Sequence, residues 1–127
     1  MARREIRKPV RVIVVEDSAA VREAVTSEFA ADARFEVVGE AATVTEAREL
    51  LAKADVAILD LGLPDGSGAD LIPELRSANP TARAIILSTT QDRSLHLQAI
   101  EHGAAGVLDK LAHLGQVTEA VWQILSA

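Results

Sequence analysis

Two apolar runs in this sequence are each followed at once by acidic residues. Glu16 and Asp17 come after Val10–Val15, and Asp60 comes after Val56–Leu59. If the two runs are parallel strands of one sheet, their carboxyl ends share an edge, where three carboxylates repel one another unless a cation joins them. Because the ligands are hard oxygens with no His or Cys among them, we expect that cation to be Mg²⁺.

Two more predicted strands bring a hydroxyl and an amine to the same edge. One apolar run ends in Ser88 and Thr89, and another ends in Asp109 and Lys110. These are the donors that a phosphoryl group needs, and phosphoryl transfer depends mainly on positioning and charge neutralisation. A carboxylate held against the metal can itself be the nucleophile and form an acyl phosphate. Asp60, with a Gly- and Pro-rich loop behind it, is the best-placed nucleophile.

Each group also has a simpler structural interpretation. Glu16 and Asp17 could cap the helix that follows them, since acidic residues are favoured at that place. The loop "LPDGSG" could be only a turn, Ser88 a strand-end hydroxyl and Lys110 a solvated charge. The functional prediction depends on the coincidence of such groups at one edge. The three histidines have no common ligand spacing and are interpreted as surface residues: His96, His102 and His113.

The elements that must position these groups alternate along the chain. Short runs rich in Val, Ile and Leu mostly lack polar–apolar alternation, as expected for parallel strands covered on both faces. Helical patterns separate them, so the sequence predicts an α/β fold: a five-stranded parallel sheet flanked by five helices, in the flavodoxin-like order 2-1-3-4-5. The predicted strands span 10–15, 35–41, 56–60, 83–88 and 106–110.

Local signals set the limits of the predicted helices. A capping box formed by Thr43 and Glu46 opens the second helix. Pro73 is expected to kink the third helix or delay its start. Asp92 is the expected N-cap of the fourth helix, and Gly103 is the residue that ends it. The predicted helices span about 18–31, 43–51, 67–78, 93–102 and a fifth segment with the apolar stripe Leu114, Val117, Val121 and Ile124.

Length and composition restrict the class of protein. The chain has 127 residues, the size of one domain, and its net charge of −6 argues against a nucleic-acid surface. It has no cysteine, hence no disulfide or zinc–thiolate site, and no apolar window long enough for a membrane span. We expect residues 1–9 to be a basic tail without a targeting signal, residues 10–127 to be one domain, and the location to be cytoplasmic.

Four motifs occur in the order and spacing of a known family: "VVEDS" at 14–18, "LDLGLPDGSG" at 59–68, "IILST" at 85–89 and "GAAGVLDK" at 103–110. From Val10 onward the sequence resembles the receiver domain of bacterial two-component response regulators, which has the CheY-like fold. The resemblance implies a phosphorylation-switched signalling module, a phosphoprotein of a two-component system or phosphorelay, rather than a conventional enzyme. No output domain is expected within residues 10–127.

The resemblance assigns a role to each group at the predicted edge. It implies that Asp60 accepts phosphate from a phosphohistidine on a sensor histidine kinase or a phosphotransfer protein. It implies a Mg²⁺ site made by Asp17, Asp60 and the backbone carbonyl of Gly62. Glu16 would act on the metal through a water, and Lys110 would pair with the phosphoryl oxygens.

Further implications concern the switch and its surface. Ser88 is preferred to Thr89 as the switch hydroxyl, because it directly follows the apolar run of the fourth strand. Val107 stands where many receivers carry an aromatic residue, so an aromatic in–out movement is impossible here. Leu111 replaces a frequent proline after the lysine. The expected output face, formed by the fourth and fifth helices and the fifth strand, contains Arg93, Leu95, His96, Val107 and Trp122.

The resemblance implies that this face binds a downstream protein. No direct nucleic-acid or membrane partner is expected, and a homodimer remains open. Trp122 on it is either an exposed anchor or a residue packed at the edge of the core. The sequence by itself does not decide between the two.

Two other functions remain open at this point. A haloacid-dehalogenase-type phosphatase also uses an Asp after an apolar strand, but it needs a second acid two residues later, where this chain has Gly62. Such a phosphatase also needs additional chain for a cap over its substrate.

A pseudo-receiver keeps the fold as a docking or dimerisation platform without phosphorylation. The intact acidic, hydroxyl and lysine positions argue against it, and Val107 is compatible with it.

Overall fold

Five parallel strands form one sheet in the computed structural model, which describes residues 8–89 and 93–127. The strands are β1 (Val10–Val15), β2 (Phe35–Ala41), β3 (Val56–Leu59), β4 (Arg83–Ser88) and β5 (Gly106–Asp109). Their order in the sheet is β2-β1-β3-β4-β5. The predicted fold class and strand order are therefore confirmed, and no strand end differs from its predicted place by more than one residue.

Helices cover both faces of the sheet. In chain order they are α1 (Ala19–Ala30), α2 (Val44–Arg48), α3 (Leu71–Ala78), α4 (Arg93–Glu101), α5 (Lys110–His113) and α6 (Val117–Ser126). A 3₁₀ turn at Leu51–Lys53 follows α2, and another at Gly68–Asp70 precedes α3. Within residues 8–89 and 93–127, no helix has the length and apolar character that crossing a membrane requires.

The described residues form six α-helices where five were predicted. The additional one is α5, a short helix directly after β5, and the predicted fifth helix corresponds to α6. Placing Leu114 on the apolar stripe of that helix was wrong: Leu114 lies between α5 and α6 and is 46% exposed. The reason is Gly115, whose φ of +95° interrupts the helical path.

Local capping explains where two of the helices begin. Ser18 is the N-cap of α1 and accepts a hydrogen bond from the N–H of Val21 at 3.3 Å, so neither acidic residue before it is the cap. Thr43 is the N-cap of α2 and accepts from the N–H of Glu46 at 3.0 Å. The Glu46 carboxylate accepts in turn from the N–H of Ala42 at 2.8 Å, one residue earlier than in a regular capping box.

Two further boundary signals also act as predicted. Pro73 lies in the first turn of α3, which begins at Leu71 rather than at 67. Proline is tolerated there because the first N–H groups of a helix have no intrahelical partner. Gly103 follows the end of α4 and has a φ of +108°. The expected N-cap Asp92 and the basic residues of the tail within 1–7 lie outside the described residues.

Alternate residues of each strand face opposite sides, so the sheet has a core on each face. Ile13 and Val15 of β1 pack with residues of α2, α3 and α4, whereas Val12 and Val14 pack with residues of α1 and α6. All four side chains are buried. Strands with two buried faces need no polar–apolar alternation, which explains the continuous apolar runs in the sequence.

The N-terminus of α6 is capped from another helix. Glu28 of α1 accepts hydrogen bonds from the N–H groups of Gly115 (2.7 Å) and Val117 (3.0 Å), and the N-cap residue Gln116 makes no side-chain cap bond in the described structure. We predict that Glu28→Ala lowers the free energy of unfolding by about 1 kcal/mol, the usual cost of losing a helix cap. Urea denaturation measures the change, with exposed Glu23→Ala on the same helix as control. Equal stability of the two variants would contradict the capping role.

Candidate functional site

The carboxyl ends of β1, β3, β4 and β5 open into one cavity of about 520 Å³, here called the acidic cavity. Parallel strands bring their carboxyl ends to the same edge, so residues distant in sequence become neighbours there. All residues predicted to form the site line this cavity: Glu16, Asp17, Asp60, Gly62, Ser88 and Lys110.

Three of the lining carboxylates form a cluster. One oxygen from each of Glu16, Asp17 and Asp60 lies within 4.8 Å of the other two. Glu16 and Asp60 are buried, with 2% and 8% of their surface exposed, and Asp17 is exposed. Hard oxygen donors that are open to solvent on one side fit Mg²⁺, which keeps several of its waters.

Three hydrogen bonds fix the position of Asp60, two through its backbone and one through its carboxylate. Its N–H donates to the carbonyl of Val15 at 3.0 Å, and its carboxylate Oδ1 accepts from the N–H of Gly62 at 3.2 Å. The carbonyl of Asp60 accepts from the N–H of Gly68 at 3.1 Å. These bonds leave Oδ2 as the carboxylate oxygen that faces Lys110.

Lys110 is the cation of the acidic cavity. Its Nζ lies 2.5 Å from Glu16 Oε1 and 3.2 Å from Asp60 Oδ2. Burial acts to lower the pKa of Lys110, but the hydrogen bond with Glu16 and the charges of Asp60 and Glu16 outweigh burial and raise the pKa. The side chain therefore stays an ammonium group at neutral pH and is available to pair with an anion.

The ionised carboxylate of Glu16 is unfavourable in the folded protein. Burial raises the pKa of its carboxyl, and the hydrogen bonds from Lys110 and Ser18 oppose burial only in part, while the charge of Asp60 adds to the rise. A raised pKa means that the folded chain binds this proton more tightly than the unfolded chain does. The ionised form consequently costs stability, and the cost appears as the pH rises from about 4.5 through the raised value.

We predict that Glu16→Gln makes the Mg²⁺-free chain more stable than wild type at neutral pH. The advantage should shrink as the pH falls below the raised pKa and toward 4.5, because the folded wild-type chain then carries Glu16 in its protonated form. Urea denaturation at several pH values measures this difference, and Glu23→Gln, an exposed position on α1, should show none of it. A wild-type advantage at neutral pH would refute the prediction.

The loop after β3 is anchored to α2 by Asp65. The Asp65 carboxylate accepts from the N–H of Val44 at 2.7 Å and from the N–H and hydroxyl of Thr45 at 3.1 and 2.8 Å. The hydrogen bond from Val44, aided by those from Thr45, holds the pKa of Asp65 below its ordinary value. The sequence had indicated only a Gly- and Pro-rich turn, whereas the structure contains a loop with fixed contacts.

Gly68 brings this loop against the phosphoacceptor candidate. A Cβ at Gly68 would lie 2.2 Å from the carbonyl oxygen of Asp60 and 3.0 Å from Cβ of Leu59. Real Cβ contacts do not reach the first of these distances, so no other residue fits without movement of the backbone. The sequence analysis missed this role, because a glycine in a turn motif is more often there for the turn itself.

Two hydroxyls lie at the end of β4. Ser88 is buried and pairs in register with Asp109 of β5, whereas Thr89 is exposed, and both line the acidic cavity. The choice of Ser88 as the switch hydroxyl stays a prediction.

Helix α4 forms a wall of two cavities, which the sequence analysis did not foresee. Leu95 and Gln98 line the acidic cavity. A second cavity of about 450 Å³, here called the α4–β5 cavity, lies between this helix and β5. Residues three and four apart lie on one helix face, and this spacing is the sequence signal that was available. The α4–β5 cavity is lined by Arg93, His96, Leu97, Ile100 and Val107.

Trp122 does not line the α4–β5 cavity. Its ring centroid lies 6.0 Å from that of Phe35, and the guanidinium carbon of Arg34 lies 4.9 Å from the Trp122 ring. The side chain is partly buried against the core formed with α1 and α6. Of the two alternatives, packing at the edge of the core is correct, because Phe35 and Arg34 cover the ring.

Comparison with known proteins identifies one family. The family model of the response regulator receiver domain matches residues 12–122. The DNA-binding transcriptional activator DevR/DosR of Mycobacterium tuberculosis is 41% identical over 103 residues, which are 80% of this chain and 48% of that protein. A protein-glutamate methylesterase/protein-glutamine glutaminase of Paramagnetospirillum magneticum is 32% identical over 109 residues, 83% of this chain and 31% of that protein. The chain thus spans about half or less of the length of these curated relatives.

Solved structures agree with the sequence comparison. A two-component response regulator of the LuxR family from Aurantimonas sp. SI85-9A1 has a TM-score of 0.84 at 29% identity, covering 94% of this chain and 86% of that one. The signal receiver domain of a NarL response regulator from Mycobacterium tuberculosis also has a TM-score of 0.84, at 32% identity, covering 92% of this chain and 96% of that one.

Proposed function

This chain belongs to the response regulator receiver domain family, and from that premise we propose that Asp60 accepts a phosphoryl group and that the new charge changes partner binding. The donor is the phosphohistidine of a sensor histidine kinase or phosphotransfer protein. Residues 10–127 act as one receiver domain in this proposal. The module is a signalling switch, and the only chemistry assigned to it is its own phosphorylation and dephosphorylation.

One observation carries the proposal: the contacts of the Asp60 carboxylate in the acidic cavity. The Asp60 carboxylate clusters with the carboxylates of Glu16 and Asp17, and its Oδ2 lies 3.2 Å from Lys110 Nζ. In the proposed step, a carboxylate oxygen of Asp60 attacks the phosphorus, the phosphorus–nitrogen bond of the donor breaks, and the imidazole leaves with the electron pair. The product is an acyl phosphate on Asp60.

The donor set of the acidic cavity fits Mg²⁺, which when bound supplies positive charge to the phosphoryl oxygens. The proposed ligands are the carboxylates of Asp17 and Asp60 and the backbone carbonyl of Gly62, with Glu16 acting through a water. Lys110, already held as an ammonium group beside Asp60, is positioned to pair with the phosphoryl oxygens. Its contact with Glu16 then gives way to a contact with the new anion.

Helix α4 is the proposed link between phosphorylation and partner binding. In this proposal the Ser88 hydroxyl turns toward the phosphoryl group, and the position of α4 changes with it. Because α4 lines both the acidic cavity and the α4–β5 cavity, its movement changes the two together. Val107 has no ring to rotate, so this chain shifts between two states by movement of backbone and helix.

The proposed downstream partner is a protein that binds the face around the α4–β5 cavity. No direct nucleic-acid contact is proposed for these residues, since the chain has a net charge of −6. The DNA-binding and methylesterase activities in the names of the relatives belong to proteins about twice as long or longer. Neither the haloacid-dehalogenase-type phosphatase nor the pseudo-receiver finds support in the comparisons.

The test is phosphorylation of the purified chain by acetyl phosphate, followed by intact-mass spectrometry. We expect one phosphoryl adduct that forms with Mg²⁺ and is absent with EDTA. A parallel sample with beryllofluoride, which mimics the phosphoryl group without hydrolysis, detects the site if the adduct turns over quickly. A chain that forms no adduct and does not respond to beryllofluoride would instead favour a docking platform.

A further inference from the structure

Helix α5, which begins at Lys110, is not held in place by a buried apolar face. Of its four residues, Leu111 and Ala112 are exposed and His113 is half-buried. Leu111 is 80% exposed, and a helix of this length has no stability of its own in water. Another interaction must therefore fix the backbone at Lys110, the residue that carries the cation of the acidic cavity.

The carboxylate of Asp109 supplies such an interaction in the first turn of α5. Its Oδ1 accepts hydrogen bonds from the N–H of Leu111 at 2.7 Å and from the N–H of Ala112 at 3.3 Å. N–H groups at this place have no partner within their own helix. The shorter bond also requires an N–H at position 111, which leucine has and proline would lack. The N-cap residue Asp109 therefore stabilises the helical start of α5.

Asp109 is also the last residue of β5, so the sheet fixes its backbone from the other side. It pairs in register with Ser88 of β4, and its φ and ψ are −86° and 123°, the extended conformation of an N-cap. Lys110 follows directly, and its Nζ lies 3.2 Å from Asp60 Oδ2. A change of backbone conformation where the strand meets the helix would carry this ammonium group away from Asp60.

We propose that Asp109 is a positioning residue for phosphorylation, because its cap of α5 directs the Lys110 ammonium group into the acidic cavity. Asp109 is not among the described residues that line this cavity, so it acts through Lys110 and not on the phosphoryl group. This role needs an acceptor oxygen but no negative charge. The assignment deepens the proposed function and rests on it, since Lys110 is proposed to pair with the phosphoryl oxygens.

The first test compares two substitutions of Asp109 in the reaction of the full 127-residue chain with acetyl phosphate and Mg²⁺. Asp109→Ala removes the acceptor oxygen, so we expect the adduct to form about fivefold more slowly, the factor that corresponds to loss of a typical helix cap. Asp109→Asn keeps an oxygen at the same place and should react at the wild-type rate. An unslowed Asp109→Ala, or an Asp109→Asn as slow as Asp109→Ala, would overturn the capping role.

A double variant shows whether Asp109 acts through Lys110. Lys110→Ala has no ammonium group to direct, so adding Asp109→Ala to it should leave the rate of adduct formation unchanged, although Asp109→Ala alone is slow. The same slowing in both backgrounds would mean that Asp109 affects the site by another route, and it would overturn the proposal.

The lysine side chains provide a readout that does not need phosphorylation. Lys8 and Lys53, the other lysines of the sequence, are exposed, whereas the Lys110 side chain is 11% exposed and contacts two carboxylates. In ¹H–¹³C NMR spectra of the Mg²⁺-free chain, we therefore expect the two Hε protons of Lys110 to have different chemical shifts. Lys110→Arg assigns the signal by its absence. The difference should remain in Asp109→Asn and disappear in Asp109→Ala, and its persistence in Asp109→Ala would contradict the proposal.

The two kinds of measurement keep this test separate from that of the proposed function. If the Hε difference disappears only in Asp109→Ala but the wild-type chain forms no adduct and does not respond to beryllofluoride, the phosphoacceptor role is refuted and the direction of Lys110 by Asp109 is supported. If the wild-type chain and Asp109→Ala form the adduct at equal rates, the positioning role is refuted and the phosphoacceptor role stands.

Discussion

Asp60→Asn is expected to abolish the phosphoryl adduct that the wild-type chain forms with acetyl phosphate and Mg²⁺. The carboxamide keeps the size and the hydrogen bond from Gly62, but it lacks the anionic oxygen that attacks phosphorus. We expect the adduct to fall by at least about a hundredfold, because a neutral amide is a very poor nucleophile. Intact-mass spectrometry over a time course measures the adduct directly.

Asp55→Asn is the matched control for this substitution. Asp55 directly precedes β3, whereas Asp60 directly follows it, so the two acids lie at opposite ends of one strand. Asp55 pairs with Arg11 at 3.1 Å in a partly exposed ion pair, away from the acidic cavity. Asp55→Asn should therefore form the adduct as wild type does. An undiminished adduct in Asp60→Asn would move the phosphoacceptor to another residue.

Gly68→Ala is expected to destabilise the fold and to displace Asp60. The added Cβ would lie 2.2 Å from the carbonyl oxygen of Asp60, so the loop or the end of β3 must move. We expect the free energy of unfolding to fall by about 3 kcal/mol, at the upper end of the usual cost of overpacking. The hydrogen bond from Gly68 to Asp60 should be lost with this movement, and the adduct should form at least about tenfold more slowly.

Gly62→Ala is the control for the added methyl group in the same loop. A Cβ at Gly62 has no atom within 4 Å, and the backbone there does not have the positive φ that disfavours alanine. Its free energy of unfolding should therefore stay within about 0.5 kcal/mol of wild type. If Gly68→Ala is as stable as Gly62→Ala, the close approach to Asp60 is not a constraint on this fold.

Residual secondary structure after Gly68→Ala would distinguish two causes of a lost adduct. A chain that retains its circular dichroism spectrum but reacts slowly has a displaced carboxylate. A chain that loses the spectrum has lost the fold. In that case, the rates of adduct formation in Gly68→Ala and wild type are compared at a lower temperature, at which the variant is folded.

Sequence patterns alone predicted the sheet because each strand is a short apolar run with a clear end. Residues 12–15 and Val56–Leu59 are buried on both faces, and such runs have few alternatives to a central parallel strand. The same patterns predicted that Asp60 and Lys110 would meet, since parallel strands deliver their last residues to one edge. Periodicity was less informative after β5, where Gly115 separates α5 from α6.

Tertiary structure decided the contacts that depend on exact distances between distant segments. The approach of Gly68 to Asp60, the hydrogen bonds of Glu28 to the start of α6, and the cover of Trp122 by Arg34 all join elements far apart in the chain. A sequence pattern reports which face of an element is apolar, but it does not report which side chain of another element lies opposite. The position of α4 between two cavities has the same origin, because it depends on how the helix packs on the sheet and not on its own residues alone.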